Sequence, residues 1–447
     1  MNKQINKVFG TDGIRGKVGE SPMTIDFAMR LASSIAKVMT PNGGKVAIGK
    51  DTRISGYMFE SALESAFVAH GLEVILLGPL PSPAIAYYTI QNKCDFGIVI
   101  SASHNSYEYN GIKIINHLGE KIDREIESII ESKLSDTPIT QTAETLGKAK
   151  ISNTSRKLYV SLLMSVFDNA EYHLPLKGFK IVVDASNGAA YKIAPQVLLD
   201  LGADVIPIAC SPNGKNINLD CGSTHPETLR KTVVATDSNL GIALDGDADR
   251  ILIVDEKGGI LDGDQILYIL ANANANNKSF NNKVVGTITT NSGLEVKLND
   301  LNIDLYRSEV GDKNVYSMMK KTGAIIGGES SGHIINTEYS PTGDGLLTAL
   351  LIIKESIVKK SAISDLVTGL ELLPVINENI DIEDLENITD DFLAGLANKI
   401  NNENTDGRVI IRASGTEPLI RISIENNDQI ASERILESII NAIKENG

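Results

Sequence analysis

One order of strand-like runs recurs three times along the 447 residues of this chain. KVAIGKDTR at 45–53, KIVVDASNG at 180–188 and KVVGTITTNSG at 283–293 each place a basic residue before a short β-branched run and a polar turn. A second run follows each of them: GLEVILLG at 71–78, GADVIPIAC at 202–210 and NIDLYRSEVG at 302–311. A third closes each set: FGIVI at 96–100, LGIAL at 240–244 and GAIIGG at 323–328. The stretches between them have room for helices, as in MFESALESAFVAH at 58–70, whose apolar positions fall three and four apart. Strands alternating with helices predict parallel α/β units, and three copies of one order predict three related domains.

The chain from about 369 breaks the pattern. RVIIR (408–412) and LIRISIE (419–425) read as strands around a polar loop, and a helix over roughly 428–445 sets Ile435, Leu436, Ile439, Ile440 and Ile443 on one face. This is an α+β module. The expected divisions are 1–150, 151–256, 257–368 and 369–447. The run ANANANNKSFNNK at 271–283 reads as a helix end and a surface loop.

Composition narrows the partners. With 42 Lys+Arg against 57 Asp+Glu the formal charge is −15, and no basic block stands out, which disfavours a nucleic-acid or anionic-membrane partner. An anionic ligand therefore needs a locally positive pocket. Cys94, Cys210 and Cys221 are odd in number and contain no CxxC pair, which argues against a disulfide framework and a structural zinc site. The N-terminal segment MNKQINKVFGTDGIRG has no apolar core of a signal peptide, and no stretch reaches the ~18 apolar residues of a membrane span, so a cytoplasmic location is expected.

Ligands of open α/β sheets bind beyond the carboxyl ends of the strands. The loops after the three third strands read SASHN (101–105), DGDADR (245–250) and GESSGH (328–333). Asp245, Asp247 and Asp249 stand at i, i+2 and i+4. On a regular strand such steps are ~6.7 Å apart, too far for one ion. Coiled into a loop, with Gly246 and Ala248 permitting curvature, they converge on a hard cation, and Mg²⁺ fits because it accepts a phosphate oxygen in an incomplete protein shell. DGDADRILIVDE also spaces its acids like an EF-hand, but Arg250 stands where that loop needs Gly. An aspartyl nucleophile in the DxD loop of a phosphatase stays open.

GESSGH satisfies GxSxG, yet of the six histidines only His333 follows, three residues on, which disfavours a hydrolase triad. No GK pair precedes Ser or Thr, which removes the P-loop reading. In SASHN, Ser103 beside His104 is a weak nucleophile as a hydroxyl, but as a phosphoserine it is a phosphoryl donor with a charge near −2. Facing DGDADR it supplies the oxygen that the cation lacks, while Lys113 and Arg15 offer charge to the oxygens on which charge develops. Finally, RASGTEPLIR (412–421) places Ser414, Gly415 and Thr416 in a tight turn between Arg412 and Arg421, an anion nest with guanidinium forks.

Assembled in order, FGTDGIRG (9–16), SASHN through NGIK (101–113), NINLDCGSTHPE (216–227), DGDADR, GESSGH, TGDGLLTAL (342–350) and RASGTEPLIR resemble the α-D-phosphohexomutases over nearly the whole chain, and within them the glucosamine branch. The resemblance implies three related mixed α/β domains plus a smaller C-terminal α+β domain around a central cleft. It implies a phosphoserine at Ser103 bridged by Mg²⁺ to Asp245, Asp247 and Asp249. It also implies interconversion of glucosamine 6-phosphate and glucosamine 1-phosphate through a glucosamine 1,6-bisphosphate, a product that feeds UDP-N-acetylglucosamine and cell-wall precursors. Glu329 and Ser331 then grip sugar hydroxyls, and Arg412, Ser414, Gly415, Thr416 and Arg421 the distal phosphate. Arg15, His104, Lys113, Arg250 and His333 are candidates for charge stabilisation or proton transfer, and a homodimer is the assembly left open. Two positions depart from the family pattern: Ser106 stands where Pro is usual after the Asn, and Ser330 where the glucosamine branch commonly has Gln. A sugar-phosphate-binding protein without turnover is the alternative from outside the enzymes.

Overall fold

The computed structural model describes residues 7–168, 174–275, 277, 279–381, 388–403, 407–413 and 419–446. Its first sheet contains β1 (Ile14–Lys17), β2 (Lys45–Lys50), β3 (Glu73–Pro79), β4 (Phe96–Ile100), β5 (Tyr109–Asn116) and β6 (Lys148–Ile151), in the order β1-β5-β4-β2-β3-β6. The second contains β7 (Lys180–Asp184), β8 (Asp204–Ile208), β9 (Leu240–Leu244), β10 (Ile251–Asp255) and β11 (Ile260–Leu261), ordered β11-β10-β9-β7-β8. The third contains β12 (Lys283–Thr287), β13 (Asp304–Ser308), β14 (Ile326–Gly328) and β15 (Ile334–Asn336), ordered β13-β12-β14-β15. The fourth is the antiparallel trio β16 (Val375–Asp381), β17 (Gly407–Ala413) and β18 (Leu419–Asn426), with β18 in the middle.

The threefold order seen in the sequence is a threefold topology. In each of the first three sheets the opening strand lies between the second and third, parallel to both. The purely parallel expectation stops there, because β5, β10 and β15 each run antiparallel to the third strand. The intervening loops are too short for the crossover that a parallel neighbour requires, so the chain must turn straight back. The loops SASHN, DGDADR and GESSGH are these three turns, and they occupy equivalent places in three related domains.

β4 and β9 are buried along their whole length, as central strands covered by helices on both faces must be. One face of the first sheet, with Val46, Ile48, Ile98 and Ile100, packs on the helices Ile25–Met39 and Ser55–Ala69. Its other face, with Ala47, Ile75 and Val99, joins an apolar core continuous through the second and third domains. The C-terminal domain has its own core, in which Ile439 and Ile443 of the helix Gln429–Asn446 are fully buried against Ile420, Ile422 and Ile424. Ile435 and Leu436 pack beside them, whereas Ile440 is half-buried.

Elements without an apolar signature escaped the sequence pattern. β6 (KAKI) is exposed at all its positions, and the edge strand β16 alternates only weakly. The helix Asp390–Glu403 also went unread. β11 extends the second sheet to Leu261, beyond the expected division at 256. Among the described residues no helix is long and apolar enough to cross a membrane.

Candidate active site

The β4–β5 turn brings Ser103 to the end of the first sheet in a left-handed conformation, φ 50°, with the residue almost fully buried. The Ser103 N–H donates to Ser101 Oγ at 2.9 Å, and the Ser101 hydroxyl donates to Asp51 Oδ2 at 2.7 Å. The Ser103 hydroxyl leaves its own domain and donates to Asp245 Oδ2 at 2.5 Å. His104 Nδ1 lies 3.5 Å from the same hydroxyl oxygen. Burial, with Arg250 and Arg15 nearby, pushes the His104 ring down to about 4, so the imidazole is neutral.

Between β9 and β10 the chain coils, and one ligand atom each from Asp245, Asp247 and Asp249 comes within 4.8 Å of the others. The tight curvature sits at Ala248, φ 59°, rather than at Gly246. Gly246 serves a different need: a Cβ there would meet the Ser103 carbonyl at 2.6 Å, so only glycine lets the two loops touch. Asp247 Oδ1 and Asp249 Oδ1 are buried with no hydrogen-bond partner. Unpartnered carboxylate oxygens in a dry, clustered set of hard donors fit a small divalent cation such as Mg²⁺. The same environment argues against Asp245 as a nucleophile, because Oδ2 accepts from Ser103 and Oδ1 from the Arg250 N–H at 3.2 Å. Burial and the neighbouring Asp249 and Asp247 push the Asp245 carboxyl well above its usual range.

Cations converge on this cluster from two strands. Lys113 Nζ on β5 is 2.9 Å from Asp247 Oδ2, 3.2 Å from Asp249 Oδ2 and 3.0 Å from Asp12 Oδ2. Arg15 on β1, opposite Gly111 of β5, donates from Nη1 to Asn105 Oδ1 at 3.2 Å and pairs with Asp12. Burial opposes the charge of Asp249, yet Lys113, His333 and Arg250 hold its carboxyl down at about 2. Asp12 behaves likewise: against burial, Lys113, Lys121 and Arg15 keep it well below the usual range. Asp12, Lys121 and Asp312 were not singled out from the sequence, although Lys121 bridges Asp12 of the first domain to Asp312 of the third. FGTDGIRG contains the Asp12 signal; the other two have only their partners, far along the chain, to mark them.

The β14–β15 turn supplies the third wall. His333 is buried 3.6 Å from Asp312 Oδ2 and 4.0 Å from Asp249 Oδ2, with both ring nitrogens lacking a hydrogen-bond partner. Gly343 of TGDGLLTAL lies flat under this ring, where a Cβ would stand 2.5 Å from Nε2. In the same motif, Asp344 caps the helix Gly345–Lys359 and the Gly345 N–H donates to the Ala248 carbonyl at 3.0 Å, which seats the third domain on the carboxylate loop. Glu329 is buried and accepts the Gly311 N–H at 2.9 Å, while Ser331 is exposed on the turn. A cavity of about 210 Å³ at the seam of the first and third domains is lined by Lys121, Lys313, Asp312 and His333; it reaches the histidine but not Ser103.

Arg412 and Arg421 stand directly opposite each other on β17 and β18. Burial and the neighbouring Arg421 lower the Arg412 guanidinium, against Glu309 and Glu329 across the domain boundary. Two guanidinium groups so placed can fork onto one anion. Ser414, Gly415 and Thr416 lie outside the described residues. The structure thus gathers Ser103, His104, Arg15, Lys113, Arg250, His333 and the three aspartates, and sets the arginine pair apart on the C-terminal domain.

Comparison with known proteins gives four successive matches. Sequence models of phosphoglucomutase/phosphomannomutase alpha/beta/alpha domains I, II and III match residues 6–138, 157–259 and 262–372, and that of the C-terminal domain matches 377–442. Among curated relatives, a phosphoglucosamine mutase of Alcanivorax borkumensis is 45% identical over 435 residues, covering 94% of this chain and 95% of that protein. Phosphoglucosamine mutase 2 of Shewanella baltica is 43% identical over 450 residues, covering 98% and 99%. Among solved structures, a phosphoglucomutase/phosphomannomutase family protein from Burkholderia thailandensis superposes with a TM-score of 0.81 at 23% identity, covering 98% of this chain and 97% of that one. The N-acetylphosphoglucosamine mutase of Aspergillus fumigatus, solved with GlcNAc-6P and magnesium, superposes with a TM-score of 0.70 at 17% identity, covering 98% and 96%.

Proposed function

Since the chain belongs to the phosphoglucomutase/phosphomannomutase family, we propose that it interconverts glucosamine 6-phosphate and glucosamine 1-phosphate, with Ser103 as phosphoryl carrier and a glucosamine 1,6-bisphosphate as intermediate. The observation that supports this reading most is the Ser103 hydroxyl against Asp245 at 2.5 Å, a lone nucleophile of one domain set into a carboxylate cluster of another. That pairing makes sense for a serine that carries a phosphate and returns it.

In the forward direction the sugar C1 hydroxyl forms a new O–P bond as the Ser103 Oγ–P bond breaks; Ser103 Oγ, the leaving group, takes up a proton to become a hydroxyl, and the C1 hydroxyl proton passes to a base. His333, buried with both ring nitrogens unpartnered, is the group we assign to that proton. After the bisphosphate turns over, Ser103 Oγ gives up its proton and bonds the phosphorus of the 6-phosphate as the C6 oxygen–phosphorus bond breaks, the C6 oxygen takes the proton held by His333, and glucosamine 1-phosphate leaves. Asp245, Asp247 and Asp249 would hold Mg²⁺ together with a phosphate oxygen on Ser103, and when bound the ion supplies positive charge to the transferring phosphoryl group. Lys113, Arg15 and Arg250 hold permanent positive charge beside the same oxygens, in a site dry enough to strengthen it. Neutral His104 lies beside the serine oxygen. Glu329 and Ser331 orient the sugar, and Arg412 and Arg421, with the adjoining 414–416 turn, take the phosphate that is not reacting.

Turnover of glucosamine, glucose and mannose 6-phosphates tests the substrate assignment. The expected order of kcat/KM puts glucosamine 6-phosphate first; a preference for glucose or mannose would reassign the branch.

A further inference from the structure

The Arg53 side chain is wholly buried and directs its guanidinium N–H groups into the segment that carries Ser103. Nη2 donates to the carbonyls of Ser103 at 2.9 Å and Asn105 at 2.8 Å, Nη1 to those of Tyr109 at 3.0 Å and Ser106, and Nε to Asp51 Oδ2 at 2.8 Å. Two of these carbonyls receive a second donor from the other domain. Asn218 Nδ2 donates to Ser103 O at 2.8 Å and to Asn105 O at 2.9 Å. Asn218 is itself tied to the carboxylate loop: its N–H donates to Ser186 O at 2.9 Å, and the Ser186 hydroxyl donates to the carbonyl of Leu244, the residue before Asp245. The motif NINLDCGSTHPE, which contributes no group to the chemistry above, thus reaches the reacting serine through its main chain.

We propose that Asn218 is a positioning residue for phosphoryl transfer, tying the Ser103 main chain to the segment that carries Asp245 while Arg53 braces the same carbonyls from within the first domain; this rests on the mutase reading. The serine stands in left-handed backbone that non-glycine residues avoid, on a loop with Ser106 where a rigid proline is absent. Local sequence therefore does not fix it, and the clamp does. Because Ser103 Oγ meets the carboxylates only in this register, loss of the clamp removes the transfer geometry and leaves the distal arginines untouched.

Asn218→Asp keeps the size of the side chain but offers no donor and sets a carboxylate against two carbonyl oxygens; Asn218→Ala offers neither donor nor charge and serves if the first variant fails to fold. Amide hydrogen exchange of the 101–106 segment, the ³¹P resonance of the phosphorylated enzyme, and kcat and KM are measured for each. The expected result is faster exchange confined to that segment, a shifted or split ³¹P line, and kcat down about a hundredfold with KM unchanged. A residue that only supports the fold would lower the melting temperature without moving the ³¹P line or separating kcat from KM, and that result overturns the proposal, as does unchanged exchange at 101–106. Absent turnover in the unsubstituted chain would instead sink the mutase reading alone, since the exchange measurement needs no activity.

Discussion

Lys113 Nζ on β5 of the first domain lies 2.9 Å from Asp247 Oδ2 on the carboxylate loop of the second, and both groups are buried. The pair joins two domains at the place where the serine of one meets the acids of the other. It also binds charges that have no solvent to relax into. Lys113→Met would leave Asp12, Asp247 and Asp249 facing one another, and breaking such a buried pair costs roughly 3–5 kcal/mol. Melting in EDTA should therefore drop clearly for this variant, and Mg²⁺ should restore more of its melting temperature than that of the parent, because the ion replaces the missing positive charge. A melting temperature indifferent to Mg²⁺ would contradict the cluster as a cation site.

Arg412 and Arg421 make a different prediction because they stand directly opposite each other on β17 and β18, two guanidinium groups placed to hold one anion. Arg412→Gln should raise KM for the sugar phosphate by about tenfold or more, the worth of a charge-assisted hydrogen bond. Melting of the free protein should not fall. Titration of the substrate against kcat and KM, beside a melting curve, separates this from a fold defect, for which both stability and kcat would decline.

Asp264, in the first turn of the helix Gly263–Asn274, predicts a pH effect at the junction of the third and fourth domains. Burial, with Asp262 and Glu425 nearby, raises its carboxyl to about 7, against the Asn291 N–H bond and Arg307. Oδ2 accepts the Asn291 N–H at 2.8 Å and Oδ1 has no partner. The folded chain thus keeps a proton that the unfolded chain releases near 3.8, so this group favours folding at low pH and that advantage drains away as pH rises toward 7. Asp264→Asn, a permanently neutral mimic, should melt like the parent below about pH 4 and increasingly above it as pH rises to 8. A constant difference across that range would show that Asp264 does not titrate there.

What the sequence exposed and what it hid divide along a physical line. β4 and β9 were legible because burial on both faces demands unbroken apolar runs, and the turns after them because Ser103 and the spaced aspartates carry chemistry in their side chains. β6 and β16 lie at sheet edges where polar residues satisfy the fold, so no pattern marked them. Arg53 was read only as the tail of KDTR, and Asn218 only as part of a motif, because what they hold are main-chain carbonyls across the serine loop. A carbonyl has no letter of its own. Lys121 was missed for a related reason: its partners Asp12 and Asp312 are remote in the chain, and Asp312 adjoins it only after the first and third domains close on each other.

In the proposed mechanism Ser103 carries a phosphoryl group and passes it on. Intact mass and phosphopeptide mapping of the purified protein, before and after a chase with glucosamine 6-phosphate, measure this directly. The expected result is one phosphoryl group on the peptide containing Ser103, replaced during the chase by the 6-phosphate of ³²P-labelled glucosamine 6-phosphate, and absent from a folded Ser103→Ala variant that shows no turnover. An acyl phosphate on Asp245, or full turnover by Ser103→Ala with added hexose 1,6-bisphosphate, would contradict it.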